Sequence, residues 1–206
     1  MHQTIRKKSE QRMFVVAARV AAHLHFATLI AKQLSLTAKN ARAITARAGQ
    51  QAAGFTAITG FIQELATKTI QLSQDIDRIA VKIAMQATEL ERIEHALNCL
   101  TTIKEDAQDA PYVDSINTFS TNTLSTYNQL HNDFAIMLSQ LIDLVEQIRM
   151  QIRSAEVIST MSKVEASKSG SFEQQLKVIA DNIFDAASDI DKELKSAEKL
   201  LATTKR

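Results

Sequence analysis

FTAITGFIQELATKTIQLSQDIDRIAVKIAMQATELERIEHALNCL, residues 55–100, decides the fold. Large apolar residues recur along it at Phe55, Ile58, Ile62, Leu65, Leu72, Ile76, Ile79, Ile83, Leu90, Ile93, Leu97 and Leu100. With Thr69 and Gln86 as polar members, the steps alternate between three and four throughout. Such spacing places one side chain per turn on a single helix face and makes a heptad seam. It predicts one helix from about residue 50 to 107, roughly 85 Å long at 1.5 Å per residue.

The same rhythm extends in both directions. Upstream of Gly49, the stripe Val16, Val20, His23, Ala27, Ile30, Leu34, Thr37, Ala41 and Ile44 predicts a helix over 5–47. Alanines flank this stripe, so a broad face is expected to bury against close neighbours. Downstream, EDAQDAPYVDS (105–115) contains Pro111 and ends the second helix, because proline disfavours helical geometry in the residue before it. Tyr127, Leu130, Phe134, Met137, Leu141, Leu144 and Ile148 mark a third helix that runs to about 167. SKSGS (167–171) is a turn around Gly170. Leu176, Ile179, Ile183, Ala186, Ile190, Leu194, Ala197 and Leu201 mark a fourth helix to about 204, with Ser171 and Gln174 at capping-box spacing.

Short connections make sequential helices antiparallel neighbours. The expected fold is therefore all-α, an elongated antiparallel helical hairpin within a four-helix coiled-coil bundle, up-down-up-down. Residues 1–108 form one hairpin with its turn near 48–51, and 112–206 a second hairpin packed on the first. No repeat of 20–50 residues is visible.

Composition agrees. The 206 residues are 45% hydrophobic with only four glycines and one proline, too few breakers for many turns. The net charge of +1 hides an asymmetry. Residues 1–50 hold nine Lys and Arg against the single acid Glu10, and the remainder is acidic. A basic first arm lying against acidic later helices accounts for this without an outside partner. Nucleic acid is not expected, since no basic patch with interleaved aromatics is present. Cys99 is the only cysteine, which fits a reducing, cytoplasmic compartment, and its place beside the seam predicts a buried or half-buried side chain. The opening MHQTIRKKSEQRM is too polar for a signal peptide. Residues 13–31 are long enough to span a membrane, but Arg19, His23 and His25 interrupt them. A central Arg costs about 2.5–3.5 kcal/mol on insertion scales, so a bundle helix and no membrane span is expected.

Catalytic signals are weak. His23 and His25 are two apart and face different ways, so they cannot share a metal. Glu91 and His95 are at i,i+4, but surface pairing suits them better than a metal, because no Glu-x-x-His motif occurs on any helix. His131 has no nucleophile near it in sequence. No enzyme, metal or cofactor is expected.

IAKQLSLTAKNARAITARAGQQAAGF (30–55) resembles the hairpin tip of the cytoplasmic signalling domain of bacterial methyl-accepting chemotaxis proteins. The ungapped matches are Ile30, Ala31, Gln33, Asn40, Ala41, Ala46, Arg47, Ala48, Gly49, Gln51, Gly54, Phe55, Leu65 and Ala66. The resemblance covers roughly residues 25–80, and residues 110–206 lie outside it. It implies a long antiparallel hairpin that forms four helices by dimerising, with a tip that binds a chemotaxis histidine kinase and its coupling adaptor. It places Gly49 at the turn and assigns Asn40, Arg47, Gln50, Gln51, Gly54 and Phe55 to the partner-binding tip. Several charges of that family are replaced here, at Ile44, Gln50, Ala53, Phe61 and Gln63, which implies altered or lost kinase control. No methylation-type Glu or Gln pair, sensor domain or membrane anchor is expected.

Two assemblies remain open at this point. Residues 110–206 take the place of a second hairpin in a single-chain pseudo-dimer, or residues 1–108 dimerise and the last helix folds back as a cap. Three functions compete: a signalling protein that docks on the kinase and adaptor, a helical scaffold that keeps the hairpin without the pathway, and a lipid-surface protein that opens to expose the 13–31 face.

Overall fold

The computed structural model describes residues 2–106 and 113–202. Helix α1 spans His2–Ala48, a 3-10 turn Gly49–Ala52, α2 Ala53–Asp106, α3 Val113–Ser167, a second 3-10 turn Gly170–Phe172, and α4 Glu173–Ala202. The fold is all-α, with no strand among the described residues. The expected break at Pro111 lies outside the described residues. The chain forms two compact units that cut across the hairpins. One joins Met1–Ala18 to Ile79–Leu141, and the other joins Arg19–Arg78 to Ile142–Arg206.

The second unit has four helices around one core. In α2 the buried positions are those of the seam, Phe55, Ile58, Ile62, Leu65, Thr69, Leu72 and Ile76, joined by the small residues Thr59, Ala66 and Ser73. This gives three buried positions per heptad, a stripe wide enough to meet two neighbouring helices. In this part of α1 the buried residues are Val20, Leu24, Ala27, Thr28, Ala31, Leu34, Ala38, Ala41, Thr45 and Ala48. Half of the expected α1 stripe is thus displaced by one residue, because His23, Ile30, Thr37 and Ile44 are only half-buried. The alanines face the axis, where their size lets the helices approach closely, and the larger side chains cover the edge of the seam. Helix α3 contributes Val145, Ile148, Ile152 and Ala155, and α4 contributes Leu176, Ile179, Ile183, Ile190 and Leu194. Leu34, Phe55, Ile62, Ala155, Leu176 and Ile183 belong to one cluster drawn from all four helices.

Polar ties around this core set the neighbours. Gln63 Nε2 on α2 donates to Ser35 Oγ on α1 at 3.0 Å. His23 Nδ1 on α1 lies 2.7 Å from the Glu193 carboxylate on α4. Arg149 pairs with Glu198, and Lys163 with Asp181, each at 3.1 Å between α3 and α4. The Lys163 ammonium also stands 4.8 Å from the centre of the Phe184 ring. Each is a partly exposed contact worth at most about 1 kcal/mol. The core, in which each fully buried Leu, Ile or Phe contributes about 1.5–3 kcal/mol, dominates.

In the first unit, Val16, Ala17, Ala80, Ile83, Leu90, Tyr127, Phe134 and Leu141 are buried. Cys99 is exposed, contrary to the expectation of a buried or half-buried thiol. One residue before Leu100, its side chain is turned about 100° away from the seam. Its Sγ lies 3.6 Å from His95 Nδ1.

The second unit also carries three buried hydroxyls without a hydrogen-bond partner, Thr69 Oγ1, Ser73 Oγ and Ser159 Oγ. A buried hydroxyl left unpaired costs about 1–3 kcal/mol, and removing it without changing shape recovers part of that. Thr69→Val is therefore expected to raise the unfolding free energy by about 1 kcal/mol in a urea titration. Asp77 offers a pH test. Burial raises its pKa above the ordinary carboxylate value, and the positive charge of His25 opposes this only in part. A carboxyl with a folded-state pKa above its unfolded one binds more protons when folded. Its contribution to stability is therefore greatest at low pH and is lost as pH rises through the folded pKa. Asp77→Asn is expected to raise the urea midpoint at neutral pH, with the gain shrinking as pH falls through the folded pKa and lost below about pH 4, where both states of the wild type are protonated.

Candidate functional site

The first reversal is built on a backbone constraint. Ala48 keeps helical angles, φ −75° and ψ −19°, and Gly49 follows at φ 53°. That left-handed conformation ends α1 and is open to glycine at little cost. The chain then turns through Gly49–Ala52, and the Ala53 N–H donates to the Gln50 carbonyl as α2 begins. Gly49 is therefore at the turn, as the sequence predicts.

A second reversal stands beside the first. Gly170 has φ 54°, and a Cβ added to it would lie 3.3 Å from Gln51 Oε1. The Ser171 hydroxyl donates to the same Gln51 oxygen at 3.5 Å. Ser171 was expected to cap α4 through a box with Gln174. Its hydroxyl is turned to Gln51 instead, and α4 begins only at Glu173, after the 3-10 turn. At the end of α3, Ser169 is buried and its hydroxyl donates to the Glu165 carbonyl at 2.8 Å, which ties off that helix.

The six residues assigned to the tip divide into three groups. Asn40, Arg47 and Gln50 are exposed on or next to the first reversal. Gln51 and Gly54 are exposed but engaged with the second hairpin. Gln51 meets Ser171, and Gly54 leaves room for the Glu165 side chain, whose carboxylate a Cβ at position 54 would strike. Phe55 is a correction. It is 0% exposed and sits in the core cluster with Leu34, Ile58 and Leu176, so its ring is not part of a partner-binding surface. Two residues past the turn, it is the first large side chain of the α2 seam, and the seam spacing in the sequence already carried that signal.

The electrostatics also depart from expectation. Arg19, Lys32, Lys39, Arg42 and Arg47 are all exposed, and among the described residues none forms an ion pair with a carboxylate. Apart from Glu193, which meets His23 on α1, the paired acids of α3 and α4 take cations of their own hairpin, as in Lys163–Asp181, Lys168–Glu165, Lys192–Asp189 and Lys195–Asp191. For Lys192 and Lys195 the nearby Asp189 and Asp191 raise the ammonium pKa. The basic arm is thus not neutralised pairwise by the later helices. Arg42 and Arg47, nearest the reversal, stay exposed, and Arg42 lines a polar groove with Gln63, Glu64, Lys68 and Gln151.

No group of three His, Cys, Asp or Glu that could hold a metal ion occurs among the described residues. One helical stretch beginning at Val15 is long and apolar enough to cross a membrane. Within the second unit its Val20, Leu24, Ala27 and Ala31 are buried in protein. Comparison of the chain with known protein families, with curated proteins and with solved structures finds no match in any of the three.

The glycine geometry is directly testable. Gly49→Ala forces a Cβ into the left-handed region with no atom within 4 Å to relieve or worsen it, so backbone strain alone should cost about 1–2 kcal/mol. Gly60→Ala is the control. Position 60 lies inside α2 with nothing within 4 Å of an added Cβ, and helix propensity predicts a gain of about 1 kcal/mol. Thermal or urea unfolding of the pair should show opposite signs.

Proposed function

We propose that this chain is a chemoreceptor-like signal-transduction protein whose hairpin end docks a chemotaxis histidine kinase and its coupling adaptor. It acts by binding in the cytoplasm, not by catalysis. One observation carries the reading: ARAGQQAAGF (46–55) forms a helical reversal that presents Arg47 and Gln50 to solvent, with Asn40 exposed farther back on α1. The cations Lys39, Arg42 and Arg47 have no carboxylate partner of their own, which suits an acidic face on the partner and faster encounter with it. The replaced charges at Ile44, Gln50, Ala53 and Phe61 support docking with altered control of the kinase, not an unchanged switch.

A second reading, a non-enzymatic helical scaffold without the pathway, has its own support. Phe55 is in the core and Gln51 meets the second reversal, so the fold alone accounts for these two matches to the receptor tip. Direct binding separates the readings. With the kinase and coupling adaptor purified from the same organism, the wild-type chain is expected to bind, more weakly as salt is raised. Arg47→Ala and Asn40→Ala are expected to weaken binding about tenfold each, the effect of losing roughly 1.4 kcal/mol. Absence of wild-type binding to both proteins leaves the scaffold as the function.

A further inference from the structure

The two positive-φ glycines, Gly49 and Gly170, are 121 residues apart, and each sits where a helix reverses through a 3-10 turn. The same displacement superimposes the burial pattern of the second unit. On the outgoing arms, the buried positions 24, 27, 31, 34, 38, 41, 45 and 48 of α1 correspond to 145, 148, 152, 155, 159, 162 and 166 of α3 and to 169 just after it, all buried, and the exception is the buried Thr28, whose counterpart Arg149 is half-buried. On the returning arms, 55, 58, 59, 62, 66, 69, 73 and 76 of α2 correspond to 176, 179, 180, 183, 187, 190, 194 and 197 of α4, again all buried, whereas the buried Ala52, Leu65 and Leu72 correspond to Glu173, Ala186 and Glu193, which are exposed or half-buried. Sixteen matches in sequence register, with no insertion, exceed what two helical hairpins share by being helical, because heptad phase and turn position must both agree. Gly49/Gly170, Ile58/Ile179, Ile62/Ile183 and Ala66/Ala187 are identical pairs, and Arg42/Lys163 and Arg47/Lys168 keep the charge. The period is far longer than a solenoid repeat, and the side chains have diverged.

The contacts follow the same relation. Helix α1 touches α2 through Ser35–Gln63 and α4 through His23–Glu193, while α3 touches α4 through Arg149–Glu198 and α2 through Glu165 at Gly54. Exchanging the hairpins maps this ring of neighbours onto itself, which is the arrangement of two copies about a two-fold axis. The core volumes, however, are complementary and not equal. Ala27 and Ala31 correspond to Ile148 and Ile152, and Thr69 and Ser73 to Ile190 and Leu194, whereas Leu34 and Ile76 correspond to Ala155 and Ala197. A second copy of the first hairpin would leave gaps at the small positions and crowd the large ones.

We infer that residues 142–202 are an internal repeat of residues 21–81 that occupies the place of a second copy, making the chain a monomeric, single-chain pseudo-dimer. This conclusion stands without the docking proposal. Joined to that proposal, it implies one docking face per chain, because Lys168, the counterpart of the unpaired Arg47, is already paired with Glu165 at 2.9 Å.

Two measurements on the full chain test the inference, and neither needs a partner. Light scattering of the wild type is expected to give the single-chain mass of 22.8 kDa over a wide range of concentration. In a Cys99→Ser background, Gln51→Cys and Ser171→Cys are expected to be joined by a short bismaleimide within one chain, with the linked peptides identified by mass spectrometry. A wild-type dimer in solution, or a product linked mainly between chains, would overturn the inference. The scattering result remains decisive even where the double-cysteine variant folds poorly.

Discussion

Seven-residue spacing of buried side chains is the constraint on which the rest of this structure depends. In the second unit each helix places two or three residues of every heptad in the core, and layers stack from the reversals outward. Each layer must be filled by four helices at once, so the size of one residue limits the other three. Alanines on α1 share the core with isoleucines on α3 and α4, and Phe55 is enclosed in the same cluster as Leu34, Ile58 and Leu176. Close packing makes these choices interdependent, and it also explains why the polar ties at the bundle surface are secondary.

The sequence was most legible where large apolar residues define the stripe. The α2 seam, the third and fourth helices and both reversals follow from spacing and glycine position, and their ends agree within a few residues. It was least legible in α1, where alanine carries little information about which side faces inward. There the larger His23, Ile30 and Ile44 drew the stripe one residue away from Leu24, Ala31 and Thr45. Only the neighbouring helices determine that rotation, since a helix of alanines can present any of several faces. Ser171 failed as a cap for a related reason. Its spacing to Gln174 is local, whereas its actual partner, Gln51, is 120 residues away.

The candidate site shows the same division between local and distant information. Exposure of Asn40, Arg47 and Gln50 follows from their position outside the seam and beside a turn. Burial of Phe55 also follows from the seam, and assigning it to a surface gave the likeness to a receptor tip more weight than the spacing. The charge pairing was not legible in the sequence, because net charge along a chain does not say which side chains meet. Paired acids of α3 and α4 lie three or four residues from lysines on the same helix or across their own hairpin, where the geometry brings the charges together.

Local pairing also explains why the two reversals differ. At the second, Glu165 receives Lys168 on one carboxylate oxygen and lies over Gly54 with the other, where the missing side chain leaves room. At the first, the position equivalent to Glu165 is Ile44 and the position equivalent to Gly54 is Gln175, so neither the acid nor the space recurs. The contact therefore forms once, between α2 and α3, and not a second time between α4 and α1. An end built from two identical hairpins would have both contacts or neither. In this chain Lys168 is neutralised internally while, among the described residues, Arg47 is left exposed without an acid, so the asymmetry of the end follows from two differing pairs, Ile44/Glu165 and Gly54/Gln175.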